Sequence, residues 1–262
     1  MIMEKEETNK IWDESAVDHQ KVFSMGQSEY TEMLLKFWED EGMLRPGIRC
    51  LDVGCGIGKY GVYFAQRGCD VTLMDISHKM LGYAEENLKP FKTPYQIYLG
   101  DFNTVTGNED VFKEGFDLSI STMSPAIHDV DTVKKFSNIT HGTCFLARFY
   151  TWDQPFRDRL AKEMGLDDTI TKTGILDDVN DVLKAIKDAG YDPKVKLVDY
   201  NWSDDRTPEE MADYLYRHIW INYDNGEELK EKCIDACKNL SEKDGTVTDA
   251  VYTKVAWIYW SC

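Results

Sequence analysis

The sequence lacks an apolar run of the ~20 residues needed to cross a bilayer. Its first seven residues, Met1 to Glu7, are acidic and lack the apolar core of a signal peptide, so we expect a cytoplasmic protein. Basic residues are also scarce: 30 Lys and Arg stand against 47 Asp and Glu, a formal net charge of −17 at pH 7. Proteins bind phosphate backbones and anionic membranes through clustered Lys and Arg, so this charge argues against nucleic acid or a membrane as a partner.

Patterns typical of disulfide frameworks and metal sites are missing as well. The seven cysteines are an odd number, and no two of them have C-x-x-C spacing. Cys233 and Cys237 lie four residues apart on a predicted helix and could share a metal ion, but no histidine lies nearby. Buried free cysteine packs as a small apolar residue. We therefore predict reduced thiols, core packing for this pair and no structural metal.

What the sequence does contain is a glycine-rich turn after an apolar run. Residues 50–61 read CLDVGCGIGKYG and contain one acid and three alternating glycines: Asp52, Gly54, Gly56 and Gly58. Glycine lets the backbone turn sharply and lie against a ligand without a steric clash. Between a strand and a helix, such a turn offers a shelf for a cofactor.

The spacing of the glycines helps to decide which cofactor this could be. A dinucleotide-binding turn requires G-x-G-x-x-G. Gly54 and Gly56 fit, but Lys59 occupies the place of the third glycine, and Gly58 comes one residue early. Together with the preceding acid, the stretch instead resembles motif I of the class I S-adenosylmethionine-dependent methyltransferases. A nicotinamide-dependent oxidoreductase is the less favoured alternative.

Three further signals follow in the order that this family has. Asp75 ends a second apolar run 23 residues after Asp52, where an acid can accept hydrogen bonds from ribose hydroxyls. The Gly-Asp-Phe turn at 100–102 resembles the family's adenine-contacting turn, and residues 116–121 resemble its fourth strand. The resemblance therefore covers residues 48–149.

Apolar strands alternate with helical segments over the same residues, which is typical of a parallel sheet with helices on both faces. We predict strands at 48–53, 70–74, 96–99, 116–121 and 143–149, and helices at 59–67, 77–88 and 131–139. The carboxyl ends of parallel strands meet at one edge of a sheet, which should gather Asp52, Asp75, Asp101 and Ser121. The resemblance implies a Rossmann-like, doubly wound, mostly parallel sheet of seven strands with an antiparallel last strand.

The remainder of the chain predicts more helices and two further strands. Its predicted elements are helices at 177–189, 207–220 and 227–240, and strands at 194–200 and 247–260. No repeat or linker divides the chain, so we predict one domain, 1–262. Its parts are an N-terminal helical segment (1–45), a cofactor-binding half (46–150) and a substrate-side half (151–262) with an inserted helical lid near 201–240. In the resembled family the N-terminal segment often covers the cofactor, which draws attention to Trp12, Phe23, Met25 and Tyr30.

The resemblance assigns ten residues to the cofactor, S-adenosylmethionine: Asp52, Gly54, Cys55, Gly56, Gly58, Asp75, Ile76, Asp101, Phe102 and Met123. The loop residues would offer backbone groups to its amino acid end, and Asp52 would order the loop or bind the amino group. The acids at 75 and 101 would bind the ribose hydroxyls and the adenine amine. Ile76 and Phe102 would pack on adenine, and Met123 lies in the turn that borders the methionine half.

The turn at 122–129, TMSPAIHD, bears on the methyl acceptor. Family members that methylate adenine or glutamine amino groups carry Asn/Asp/Ser-Pro-Pro-Tyr/Phe here, and Ser124-Pro125-Ala126 departs from that pattern. Other acceptors stay open, and the chain looks like the small-molecule branch. A general base is needed only for a nucleophile that holds its proton tightly; His128 and Asp129 are the candidates. A protein that binds S-adenosylmethionine as a sensor or partner subunit, without turnover, is a second alternative.

Overall fold

The computed structural model of the 262-residue chain describes residues 5–24, 28–167, 171, 179–242 and 244–262. Two compact units make up the chain. The first comprises Met1–Arg148, Asp178–Lys196 and Ala256–Cys262, and the second comprises Phe149–Asp177 and Leu197–Val255. The predicted single domain with a lid near 201–240 stays a prediction. Met25, one of the four residues of the N-terminal segment singled out above, lies outside the described residues.

Nine α-helices and eight strands lie within the described residues. In chain order they are α1 (Lys5–Ser24), α2 (Glu29–Asp40), β1 (Arg49–Val53), α3 (Lys59–Gln66), β2 (Asp70–Asp75), α4 (His78–Leu88), β3 (Tyr95–Leu99), β4 (Phe116–Thr122), α5 (Val130–Asn138), β5 (Thr140–Asp153), α6 (Pro155–Met164), α7 (Val179–Asp188), β6 (Lys194–Asp199), β7 (Trp202–Arg206), α8 (Pro208–His218), α9 (Gly226–Leu240) and β8 (Val247–Ser261). Short 3-10 turns lie at Asp110–Phe112 and Trp220–Asn222.

The strands form one sheet in the order β3-β2-β1-β4-β5-β8-β6. The pairs β3-β2, β2-β1, β1-β4 and β4-β5 are parallel. The last strand runs antiparallel to β5, because the N–H of Cys262 donates to the Gly142 carbonyl at the start of β5, whereas the N–H of Lys254 donates to the Thr151 hydroxyl near its end. The predicted Rossmann-like, mostly parallel sheet with an antiparallel last strand is confirmed.

Two features of the sheet correct the sequence prediction. It has eight strands rather than seven, because β7, which falls within the predicted helical lid, pairs antiparallel with β8 in the second unit. The fifth strand spans Thr140–Asp153, several residues longer at both ends than predicted. Both differences come from pairing with strands that lie far along the chain, which local periodicity does not reveal.

The first unit has its core on the buried strands at the centre of the sheet. Leu51 and Val53 of β1 are at most 1 % exposed and belong to a cluster that also contains Phe102 and Phe136. On α2, Tyr30 is buried and its hydroxyl accepts a hydrogen bond from the Trp257 indole at 3.0 Å, so this aromatic residue packs in the core. A place for Tyr30 over the cofactor, which the family resemblance implies for its segment, stays a prediction.

The second unit has a core of its own, built from α6, α8 and α9. Cys233 and Cys237 of α9 are both buried in it, with their sulfur atoms 3.8 Å apart, as predicted for a packing role.

Across the described residues, no helix combines the length and the apolar character that crossing a membrane would require.

Candidate functional site

The glycine-rich loop joins β1 to α3 and is held by hydrogen bonds within the chain. The N–H groups of Gly54 and Cys55 both donate to the Met74 carbonyl on β2, at 2.8 and 3.1 Å. Gly54, Gly56 and Gly58 have φ values of 73, 53 and 76°, a region that favours glycine. The three glycines predicted to shape a sharp turn therefore do so.

A close approach explains why the first of these glycines has no side chain. A Cβ atom at Gly54 would lie 2.0 Å from the hydroxyl oxygen of Ser124, which follows β4. Next to this serine, Met123 has a φ of 51°, and no other non-glycine residue in the described ranges has a positive φ. Such backbone strain is concentrated at functional sites. The turns after β1 and β4 therefore meet at this edge of the sheet.

Asp52 is the buried acid of the site. It lies on β1 beside Ile120 of β4, is 1 % exposed, and neither carboxylate oxygen has a hydrogen-bond partner in the described part of the chain. Burial, and to a smaller extent the charge of Asp75, raise the pKa of this carboxyl well above its ordinary value. The hydroxyl of Ser121, on the neighbouring strand β4, is also buried without a partner. Native proteins seldom leave such groups unpaired, so each calls for an explanation.

Asp75 ends β2 and binds the loop directly. Its Oδ2 accepts a hydrogen bond from the Gly56 N–H at 2.8 Å, and its Oδ1 accepts one from the Ser77 N–H at 2.8 Å. Burial raises the pKa of the Asp75 carboxyl, although these backbone N–H groups oppose the shift. A carboxylate oxygen has room for a second donor, so Asp75 can bind the loop and a ligand hydroxyl together.

Helix α1 packs against the glycine-rich loop and α4. Ala16 is fully buried in a small cluster with Ile57 of the loop and Met80 of α4, and Trp12 and Phe23 pack against this cluster. Trp12 and Phe23 thus lie beside the glycine-rich loop, and the cover over the cofactor that the family resemblance implies for their segment stays a prediction.

Two polar contacts fix α1 in this position. Gln20 and Asn87 of α4 exchange amide hydrogen bonds at 3.0 Å, and the Asn87 amide also donates to the Ile57 carbonyl at 3.0 Å. Near the middle of the helix, Asp13 accepts a hydrogen bond from the Ser77 hydroxyl at 2.6 Å. Sequence reasoning predicted Ser77 as the start of helix 77–88, but it missed Asp13, Gln20 and Asn87, which no local pattern marks.

Lys59, the first residue of α3, was also not predicted to belong to the site. Burial lowers the pKa of its ammonium to about 8. Its Nζ lies 5.5 Å from the centre of the Tyr60 ring, and no carboxylate among the described residues forms an ion pair with it. The site thus carries a buried acid and a partly buried cation that are not paired with each other.

The predicted adenine-binding residues lie after β2 and β3. Ile76 is half-buried, and Asp101 accepts hydrogen bonds from the backbone and side-chain nitrogens of Asn103, both at 2.9 Å. Phe102 is 2 % exposed and packs edge-on against Phe136, so its ring belongs to the core. A contact between this ring and adenine stays a prediction, and the structure gives the ring another partner.

The two predicted catalytic residues lie at the start of α5. Asp129 caps this helix, because its Oδ1 accepts hydrogen bonds from the backbone N–H and the hydroxyl of Thr132 at 2.8 and 2.7 Å. The Thr132 N–H bond is the main reason that the pKa of Asp129 is lowered. His128 is exposed, and its Nδ1 lies 3.2 Å from the Pro125 carbonyl oxygen. Their catalytic roles stay predictions, since the structure shows a capping role for Asp129.

Known proteins share this loop and fold. Residues 50–141 match the family described as "Methyltransferase domain". The chain is 31 % identical over 104 residues to ribosomal RNA small subunit methyltransferase C of Alcanivorax borkumensis, covering 39 % of this chain and 32 % of that protein. It is 38 % identical over 56 residues to magnesium-protoporphyrin O-methyltransferase of Rhodobacter capsulatus, covering 21 % of this chain and 25 % of that protein. The chain thus spans about a third or less of the length of these curated relatives.

A solved structure extends the similarity to most of the chain. Magnesium protoporphyrin IX methyltransferase from Synechocystis PCC 6803, with bound SAH, aligns with a TM-score of 0.55 at 16 % identity, covering 74 % of this chain and 93 % of that one. This likeness concerns the fold. Residues 50–141 thus match a methyltransferase domain and the chain shares the fold of a solved methyltransferase, in agreement with the family that the glycine-rich stretch predicts.

Proposed function

We propose that this chain binds S-adenosylmethionine on the loop between β1 and α3 and transfers its methyl group to a small-molecule acceptor. The observation that carries the proposal is the Asp52 carboxylate, which is buried beside the loop with no hydrogen-bond partner. Burying an unpaired acid is costly, and a ligand with a positively charged amino group offsets that cost. The amino acid end of S-adenosylmethionine has such a group.

The other residues of the site fit the remaining parts of this cofactor. Asp75 holds the loop through Gly56 and keeps acceptor capacity for ribose hydroxyls. The partly buried ammonium of Lys59 has the charge required opposite a carboxylate. Half-buried Ile76 and the acid Asp101 would pack on and accept from adenine, as the family resemblance implies. The glycines allow the backbone to lie close to the ligand, since none of them has a Cβ.

The chemistry then depends mainly on orientation. When bound, S-adenosylmethionine supplies a methyl group on a sulfonium, which is already electrophilic. The chain's task is to hold the acceptor in line with that group, and correct positioning can contribute about 7–11 kcal/mol. The strained turn at Met123 and Ser124 is fixed against Gly54 and would border the acceptor. If the acceptor needs a base, His128 is the exposed candidate beside this turn.

A small-molecule acceptor is favoured by the charge of the chain. The net charge of −17 opposes binding of a phosphate backbone, which makes RNA, named for the Alcanivorax relative, the less favoured acceptor. The name of the Rhodobacter relative specifies a magnesium-porphyrin acceptor, a small molecule. The Ser-Pro-Ala turn after β4 also differs from the Pro-Pro-aromatic turn of enzymes that methylate adenine or glutamine amino groups.

The test is calorimetric titration of the protein with S-adenosylmethionine, S-adenosylhomocysteine (SAH) and NAD. We expect the first two to bind, and Asp75→Ala to weaken them roughly 10- to 100-fold because hydrogen bonds to charged groups are worth about 1.5–3 kcal/mol. Asp70→Ala is the matched control, since this acid begins the same strand that Asp75 ends. The Asp70→Ala variant should bind S-adenosylmethionine and SAH with the affinity of the wild type.

The outcomes separate the three candidate functions. Binding of NAD alone would contradict the proposal and favour a nicotinamide enzyme. Binding of S-adenosylmethionine without SAH release in the presence of any small acceptor would favour a sensor or partner subunit. Release of SAH that depends on a small acceptor, and not on RNA, supports the proposal in full.

A further inference from the structure

We propose that Asp13 of α1 is a positioning residue of the cofactor site: it fixes Ser77, and through Ser77 the Asp75 carboxylate that is to accept the ribose hydroxyls. The inference rests on the proposed function and adds to it a residue outside the glycine-rich region and its following acids. It also gives α1 a stated role, which is to complete the ribose side of the site.

A continuous chain of hydrogen bonds links Asp13 to the glycine-rich loop. Asp13 Oδ1 accepts from the Ser77 hydroxyl at 2.6 Å and from the Lys79 N–H at 3.2 Å. The Ser77 N–H donates to Asp75 Oδ1 at 2.8 Å, and the Gly56 N–H donates to Asp75 Oδ2 at 2.8 Å. Four short contacts therefore connect α1, the start of α4, the end of β2 and the loop.

The Ser77 hydroxyl has a defined orientation because of Asp13. This hydroxyl has one proton, which it donates to the Asp13 carboxylate, and its oxygen accepts the Met80 N–H at 3.0 Å as the N-cap of α4. Ser77 is 1 % exposed, so water does not compete for this arrangement. Bonds to an ionised carboxylate are stronger than neutral ones, so Asp13 holds this hydroxyl more firmly than a neutral acceptor would.

Asp13 also acts on Asp75 by its charge. Besides burial, the charge of Asp75 raises the pKa of two neighbouring groups, Asp52 on β1 and Cys55 of the loop, and His78 and Lys79 at the start of α4 lower the pKa of Asp13. Burial is the main cause of the raised pKa of Asp75, and the negative charge of Asp13 raises it further. The Ser77 hydroxyl bond lowers the pKa of Asp13 itself, so Asp13 stays ionised where Asp75 titrates. Removing the Asp13 charge should therefore make Asp75 more acidic.

The hydrogen bonds of Asp13 and its charge have opposite effects on SAH binding. Loss of the bonds should weaken binding, whereas loss of the charge should keep Asp75 ionised at lower pH, so the two effects can be measured separately. Affinity for SAH should fall as the pH falls through the pKa of Asp75, because a protonated carboxyl is a poorer acceptor. Asp13→Ala removes two hydrogen bonds and should weaken SAH binding at neutral pH about tenfold. Asp13→Asn keeps the shape and should weaken it less, while moving the acid-side midpoint of the affinity profile to lower pH.

Gln20→Ala is the matched control. Gln20 lies on the same helix and ties α1 to α4 through Asn87, but it is no part of the acid pair. This variant reports looser attachment of α1, so it should leave the midpoint of the pH profile where it is in the wild type. Wild-type affinity in Asp13→Ala, or an unshifted midpoint in Asp13→Asn, would overturn the proposal.

A second measurement separates this inference from the proposed function. Amide hydrogen exchange of the ligand-free protein should show faster exchange at Gly56 and Ser77 in Asp13→Ala, with unchanged exchange at Thr132, whose N–H donates to the cap of a different helix. If the wild type binds no SAH, the proposed function fails and exchange alone decides whether Asp13 orders the turn. Unchanged exchange at Gly56 and Ser77 would refute the positioning role.

Discussion

Each of the two units contains an aspartate that is at most 2 % exposed, and these two residues differ in what surrounds them. Asp249 in the second unit is 2 % exposed and accepts three hydrogen bonds from Arg157, at 2.7 to 3.2 Å, and one from Arg206 at 3.2 Å. Asp52 in the first unit is 1 % exposed and has no hydrogen-bond partner among the described residues. The two carboxyl groups are thus almost equally buried, but only that of Asp249 is satisfied by hydrogen bonds and opposite charge.

This difference separates an acid that maintains the fold from one that is available to a ligand. A buried charge is tolerated when an opposite charge and hydrogen bonds satisfy it, as the two arginines do for Asp249. An uncompensated one is kept only where something other than stability selects it. The contrast predicts that substitution of one residue costs stability and substitution of the other increases it.

The largest expected effect is on the paired acid. Asp249→Asn keeps the shape but leaves Arg157 buried without its counter-charge, which should lower the free energy of unfolding by about 3–5 kcal/mol. Chemical denaturation of the ligand-free protein measures this. The control is Asp204→Asn, because Asp204 pairs with Arg206 at the surface and should contribute less than about 1 kcal/mol. Equal losses of unfolding free energy in the two variants would show that the buried pairing of Asp249 contributes no more than a surface ion pair.

A smaller effect of opposite sign is expected for the unpaired acid. Its folded-state pKa is raised, so the folded chain binds the proton more tightly, and stability falls as the pH rises through that pKa. Asp52→Asn should abolish this fall and raise the free energy of unfolding at neutral pH by about 1–2 kcal/mol, while weakening SAH binding. Thermal unfolding across pH measures the first effect, and calorimetry the second. A destabilised variant with unchanged affinity would show that Asp52 serves the fold.

The smallest effect is expected for an exposed acid that its own helix satisfies. Asp129→Ala removes the cap of α5 and should cost about 1 kcal/mol. The pKa of Asp129 is lowered in the folded chain, so this contribution is present above the unfolded-state pKa and is lost as the pH falls through the folded-state value. Asp131→Ala, in the first turn of the same helix, is the control for thermal unfolding. Unchanged stability with lost methyl transfer would instead support the predicted catalytic role.

The part of the site that the sequence predicts is the part built from local pattern. The glycines at 54, 56 and 58 each need a backbone conformation that other residues avoid, so their identity reveals the turn. Asp75 follows a run of buried residues, and a strand end is recognisable from where that run stops. Predicted bounds of β1 and α3 differ from the observed ones by one residue.

The missed elements differ in whether a signal was available. Helix α6 begins with proline and places Phe156 and Leu160 on one buried face, so proline at the first position and four-residue spacing could have revealed it. Strand β7 has no such pattern, because its residues are mostly exposed and polar. It is a strand because it pairs with β8, more than 40 residues later.

The contacts that complete the site also depend on distant residues. Asp13 and Ser77 are separated by 64 positions, and Arg157 and Asp249 by 92. Each acid resembles the many exposed acids of this chain until the tertiary fold brings its partner to it. A single sequence therefore predicts the loop and its following acids, but not which other acids support them.

The hydrogen bonding of the glycine-rich loop has a consequence for the entropy change when a ligand binds. Gly54, Cys55, Gly56 and Gly58 already donate their N–H groups within the chain, so the loop is ordered before any ligand arrives. The entropy of fixing those torsions is lost during folding and not during association. A ligand thus meets a preorganised surface, and its affinity reflects the contacts it makes rather than the ordering it imposes.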